Sequence, residues 1–144
     1  MMSKILLPVD GSKSAQHAVD HVARLAKGKD DVAVTLLYVH QVPVRFGAVA
    51  PAVHPAEFKE IEKEYADPVF AEAEQLLRQA NVNFQHEVRV AGDVAPVIAK
   101  RAQELHCDAI VMGSHGGGAL AHALLGSTAN KVVHLADVPV TLVK

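Results

Sequence analysis

The sequence predicts a single doubly wound α/β domain, a parallel sheet covered by helices on both faces. Three observations carry this expectation. Five short apolar, β-branched runs recur along the chain, amphipathic stretches of helical period separate most of them, and most links between them are short. Alternation of this kind builds a parallel sheet through right-handed crossovers. Continuous apolar runs suit strands buried on both faces. A length of 144 residues, half of them hydrophobic, suits one core of ordinary size and not two. No repeat, charge block or linker divides the chain.

The first strand, Lys4–Val9, is closed by the turn residues Asp10-Gly11-Ser12. From Ser12 to Lys27 the apolar residues Ala15, Ala18, Val19, Val22, Leu25 and Ala26 fall at helical spacing, with Ser12 or Ser14 placed to cap the start. Val32–Val39 is the second strand. Gln41 to Pro55 holds Pro43, Gly47, Pro51 and Pro55 and reads as a long loop, a length that compact domains usually reserve for function or motion. Glu57–Ala80 is helical in composition, but Pro68 interrupts it. Either one helix kinks there or a new one starts with Asp67 as cap and Pro68 in first position; a kinked or broken helix is expected. Phe84–Val90 alternates polar and apolar, as a strand with one less buried face does. Val94–Leu105 is a helix with Asp93 as N-cap and Pro96 tolerated in its first turn. Asp108–Met112 is the fourth strand, Ser127–Leu135 a short helix, and Pro139–Val143 the last strand.

Composition narrows the function classes. A net charge of −2 gives no electrostatic case for nucleic acid or an anionic membrane. No apolar run approaches the ~20 residues of a membrane helix. The N-terminal apolar stretch is too short for a signal peptide, and Asp10 follows it. The single cysteine, Cys107, excludes an internal disulfide and fits a reducing compartment. With 4% aromatic residues and no Trp, a stacking platform for single-stranded nucleic acid lacks material. The expectation is a soluble cytoplasmic domain without nucleic-acid or membrane partners.

The most informative segment is Met112-Gly113-Ser114-His115-Gly116-Gly117-Gly118, followed by Gly126-Ser127-Thr128. It leaves an apolar strand, passes through glycines and reaches the head of a helix. Glycines let an anion approach backbone amides. A helix N-terminus adds unpaired N–H groups and a favourable dipole end. The pattern therefore predicts a phosphate-binding loop, while a flexible turn followed by a plain helix cap stays open on spacing alone. No G-x-x-x-x-G-K-[ST] is present, and the G-x-G of Gly116 and Gly118 fails at Ala121.

Gly113, two residues, Gly116, nine residues, Gly126 and Ser127 match the G-2x-G-9x-G-[ST] nucleotide motif of the universal stress protein family. Ile5–Ser12, Gly92-Asp93, Asp108–Gly116 and Pro139–Val143 resemble that family's segments in the same order, over nearly the whole chain. The resemblance implies an adenine nucleotide α-hydrolase-like sheet of order 3-2-1-4-5, with ATP, ADP or AMP at the switch point between the first and fourth strands. Carried over, Pro8, Val9 and Asp10 border the adenosine, with Asp10 touching ribose or base, and Val39 meets adenine through its backbone. Met112, Gly113 and Ser114 flank the ribose. Gly116, Gly126, Ser127 and Thr128 hold the phosphates, with Mg2+ on the phosphate oxygens. The resemblance also implies a homodimer through the apolar last strand, with Val138, Val140 and Leu142 at the interface; exposed edges of this kind tend to pair.

The chain departs from the family in having Gly117 and His122 where basic residues are common, and Ala119 where a glycine is. Fewer fixed cations weaken triphosphate binding or raise its dependence on Mg2+. His122 adds charge only when protonated, around an ordinary pKa of ~6.5.

Other residues invite metal or catalytic readings. His17 and His21 are four apart but share a face with Ser14 and Arg24 opposite the apolar stripe, which reads as solvated surface. For His115, a phosphate-side role and loop packing both stand open. Cys107 reads as buried and inert. Asp10 also fits a plain turn residue, and Ser12 lacks a nucleophile elbow. Phosphoryl-transfer enzymes need charge stabilisers and a positioned base. No Lys or Arg lies between Asp108 and Asn130, and Lys131 comes one turn beyond Ser127. The expectation is a nucleotide-binding regulatory module in the stress response, with at most slow ATP hydrolysis. A weak ATPase or phosphotransferase and a nucleotide-independent dimeric interaction protein are the alternatives.

Overall fold

The computed structural model describes residues 2–43, 53–115 and 125–144. Strands β1 (Ser3–Pro8), β2 (Val32–Gln41), β3 (Asn83–Ala91), β4 (Ala109–Gly113) and β5 (Val140–Val143) form one sheet in the order β3-β2-β1-β4-β5. Every neighbouring pair is parallel. Fold class and strand order are those expected. The helices are α1 (Lys13–Ala26), α2 (Pro55–Ile61), α3 (Asp67–Gln79), α4 (Val94–Glu104) and α5 (Ser127–Leu135).

Strand alternation divides the core between the two faces. Leu7, Val34 and Leu36 meet Val19 and Val22 of α1 and Phe70 and Leu77 of α3. Leu6, Leu37 and Ile110 meet Ala95 and Ile98 of α4 and Val132 of α5. The edge strands β3 and β5 are mostly half-buried or exposed, in keeping with the alternation read in β3.

One local detail of α1 agrees with the sequence reading and two differ. In α1, Ser12 is the N-cap, its Oγ accepting the Ala15 N–H at 3.3 Å. Ser14, placed on the solvated face, is buried instead, because the first turn of α1 presses against the end of β4. Leu25, counted in the apolar stripe, is 56% exposed; it lies at the margin of the stripe in the last turn, where Val22 and Ala26 already fill the inner face.

The interruption at Pro68 is a change of helical register. Helical backbone runs from Pro55 to Gln79 through a π-helical turn, Glu62–Ala66, between α2 and α3. Asp67 keeps helical dihedrals (φ −56°, ψ −45°), so it does not cap a new helix. Pro68 has no N–H to give, and in an α-helix its ring collides with the carbonyl four residues back. Widening the preceding turn relieves this: the Asp67 N–H bonds the Glu62 carbonyl, five residues back.

Candidate functional site

From β1 the chain crosses through α1 to β2 on one side; after β3 it returns through α4 to β4 on the other. Where the order reverses, a crevice opens at the carboxyl ends of the strands. It is a cleft of about 510 Å³. Pro8, Val9 and Asp10 enter it from the end of β1, Val39 from β2, and Met112, Gly113 and His115 from β4 and its exit. Gly126, Ser127 and Thr128 enter it from the start of α5. Asp10 and Gly113, far apart in sequence, thus line one space.

Of the residues named with them, one is placed differently and one is not described. Gly116 lies outside the described residues, as do Gly117, Gly118, Ala119 and His122. Ser114 is buried and does not line the cleft. Its N–H donates to the Val143 carbonyl and its carbonyl accepts the Gly126 N–H, both at 2.8 Å, while its Oγ meets His115 Nδ1 at 2.7 Å. Ser114 therefore ties β5, the α5 cap and the loop stem together. Ser14 adds a fourth tie: its Oγ donates to the His115 carbonyl and accepts the His115 N–H.

Gly113 has a packing reason to be glycine. A Cβ there would stand 2.7 Å from the Ala15 backbone nitrogen, inside α1. Gly11 has a conformational one, since its φ of +84° is left-handed. The neighbouring Asp10 closes that turn by accepting the Ser12 N–H at 2.9 Å, so the turn role foreseen for Asp10 is present without removing it from the cleft.

Backbone groups supply much of the polarity. Pairing of β1 with β2 ends at Pro8 with Leu37, and the Val9 N–H bonds the Leu37 carbonyl at 2.9 Å. Residue alternation turns the N–H and C=O of Val39 to that same side, past the last β1 pair and toward the cleft. At α5, the Gly126 N–H is taken by Ser114, and Gly126, as N-cap, has no side chain with which to cap the helix. The first-turn amides of Ser127 and Thr128 thus present donors and the positive dipole end. Among the described lining residues there is no Lys or Arg. Lys131 does not line the cleft and pairs with Asp93 at 3.4 Å. Asp93 holds the N-cap position of α4 as expected, but its side chain makes no capping bond.

The sequence reading did not single out Tyr38, His40 or Tyr65, which form one end of the cleft. Burial first, then Tyr65 and Asp10 nearby, push the Tyr38 phenol above the ordinary tyrosine range. For Tyr38 and His40 a signal existed, since β2 outruns β1. For Tyr65 there was none, because its direction depends on the π-helical turn.

Outside the cleft, Cys107 is buried, and desolvation raises its thiol pKa. His17 is exposed, with Nδ1 2.7 Å from the Lys144 carbonyl. Val138, Val140 and Leu142 are partly buried against the α4–α5 cluster, with β5 at the sheet edge. No helix among the described residues is long and apolar enough to cross a membrane.

Comparison with known proteins bears on the whole chain. The model of the universal stress protein family matches residues 1–144. A universal stress protein of Thermus aquaticus is 35% identical over 146 residues, covering all of both chains. The solved structure of MJ0577, from Methanocaldococcus jannaschii, aligns with a TM-score of 0.73 at 27% identity, over 100% of this chain and 96% of that one. A universal stress protein from Archaeoglobus fulgidus, solved in complex with dAMP, shares the fold with a TM-score of 0.65 at 23% identity, over 100% and 98%. The chain belongs to the universal stress protein family.

Proposed function

We propose that this protein binds an adenine nucleotide in the cleft at the switch point and acts as a regulatory module of the stress response. The ligand is ATP, or its ADP and AMP relatives, with Mg2+ on the phosphate oxygens. The observation that carries this reading is the convergence of three recognition elements in one cleft of about 510 Å³. The carboxylate of Asp10 faces ribose or base, and the outward backbone groups of Val39 match the edge of adenine. The open N-terminus of α5, with the Ser127 and Thr128 hydroxyls, accepts the phosphates. A cleft of this size suits a small organic ligand. The dAMP complex of the Archaeoglobus relative supports the choice of adenine, and the G-2x-G-9x-G-[ST] spacing supports a phosphate chain.

The lack of Lys and Arg among the described lining residues favours binding over rapid turnover, because developing charge on a transferred phosphoryl group finds no fixed cation there. Hydrolysis, where it occurs, is slow. We further propose a cytoplasmic homodimer through the outer edge of β5, near Val138, Val140 and Leu142.

Isothermal titration with ATP, with and without Mg2+, tests the binding reading, after checking the protein for co-purified nucleotide. Micromolar binding that is lost in a Ser127→Ala plus Gly116→Val variant supports it. No heat, no bound nucleotide and no stabilisation by ATP would overturn it in favour of an interaction protein that works without nucleotide.

A further inference from the structure

The chain has two tyrosines and no tryptophan, and both tyrosines line the same end of the cleft. Tyr38 stands near the end of β2 with its ring edge-on to Phe70, 6.5 Å between centroids at 82°. Phe70 belongs to the buried core, so this contact fixes Tyr38 from below. The Tyr38 hydroxyl meets His40 Nδ1 at 2.9 Å. Whichever partner carries the shared proton, the bond sets the plane of the imidazole. The His40 ring in turn lies 4.6 Å from that of Tyr65. Tyr65 comes from the π-helical turn that Pro68 imposes and is 47% exposed. In a chain with 4% aromatic residues, three cyclic π-systems in succession at a cleft wall, the outermost half-exposed, are not explained by core packing.

We propose that His40 and Tyr65 form a stacking wall for the planar base of the bound nucleotide, and that Tyr38 is the positioning residue that holds His40 in place. This rests on the nucleotide reading above and adds the side chains that select for a purine. The nucleotide motif names none of the three. Val39 lies between Tyr38 and His40 in β2, so a base that meets the Val39 backbone reaches the ring wall without moving to another part of the cleft. Stacking requires no charge, which suits a site whose described lining lacks Lys and Arg.

The site also supplies its own reporter, since all tyrosine emission of the folded chain arises from Tyr65 in the wall and Tyr38 behind it. The experiment titrates the full chain with Mg-ATP and, separately, with inorganic tripolyphosphate, following tyrosine emission and calorimetric heat together. Saturable quenching by ATP and none by tripolyphosphate is expected. Tyr65→Ala, at an exposed position, weakens ATP binding about tenfold or more, the scale of one base–aromatic stack. Tyr65→Phe keeps affinity within about twofold because the ring remains. Tyr38→Phe keeps the ring but frees His40, giving a smaller loss than His40→Ala and no further loss in a His40→Ala background. ATP binding by calorimetry with unchanged emission, and with Tyr65→Ala and His40→Ala both at wild-type affinity, overturns the stacking wall while leaving the nucleotide reading intact. Absence of any ATP binding to the wild-type chain overturns both.

Discussion

Gly113 carries two constraints at once. It lines the cleft, and its missing side chain lets the first turn of α1 close against β4. Gly113→Ala forces backbone apart, because a Cβ there meets not only the Ser14 Oγ but also main chain of Ser14 and Ala15 at 2.7 Å, which no side-chain rotation can relieve. The expected cost is about 1–3 kcal/mol, read by urea unfolding, the usual range for overpacking. Sequence spacing identified this glycine but assigned it only to the ligand, since contact with Ser14 links positions about a hundred residues apart. Cys107 gives a pH-dependent prediction. Its folded pKa is raised by desolvation, so the native state holds the thiol proton to higher pH than the unfolded chain. Stability from this group is therefore present at neutral pH and declines as pH rises from the ordinary thiol range through the raised folded value. Cys107→Ala should flatten the onset of that alkaline decline in denaturation midpoints. Wild-type protein should react slowly with a thiol reagent until unfolded.

At the scale of elements, period and composition located every strand and helix that the described residues contain, because each buries a stripe or face on one side of a single sheet. Where two residues compete for a short stripe, as Leu25 and Ala26 do, periodicity does not say which wins. The π-helical turn was legible only as an interruption: Pro68 dictates that an α-helical bond be lost, but not how the preceding turn accommodates it. Tyr65, and with it one end of the candidate site, follows from that accommodation. The two helical layers themselves are independent. Leu77 of α3 and Ile98 of α4 are both fully buried on opposite faces of the sheet. Leu77→Ala and Ile98→Ala should each cost about 2–5 kcal/mol. In a stabilised background the two should add within about 0.5 kcal/mol, since they share no cavity. A large coupling by double-mutant cycle would contradict the separation of the faces.

For the whole molecule, strand order is the decisive fact. Apolar runs alone do not reveal which strands are neighbours; the family resemblance implied the 3-2-1-4-5 order, and the structure has it. That order turns residues from β1, β2, β4 and α5 into one cleft, which local motifs could not show. It also leaves β5 at an edge, paired with β4 along its length and closed at its end by the bond between Ser114 and Val143. Light scattering of the full chain at micromolar concentration should give the mass of a dimer, and a monomeric mass would count against pairing through β5. Because Ser114 joins β5 to both the loop stem and the α5 cap, the proposed dimer edge and the proposed phosphate end of the cleft share one backbone link.

The most direct test of the central claim is a backbone amide chemical-shift map of the labelled protein titrated with Mg-ATP. Val39, Gly113, Gly126, Ser127 and Thr128 should move together along one saturable binding curve. Lys4, Asn83 and Cys107, which line a separate pocket bearing the N-terminal ends of the strands, should stay fixed. Saturable shifts confined to that opposite end, or ATP binding that leaves the α5 amides unmoved, would contradict the switch-point cleft as the nucleotide site.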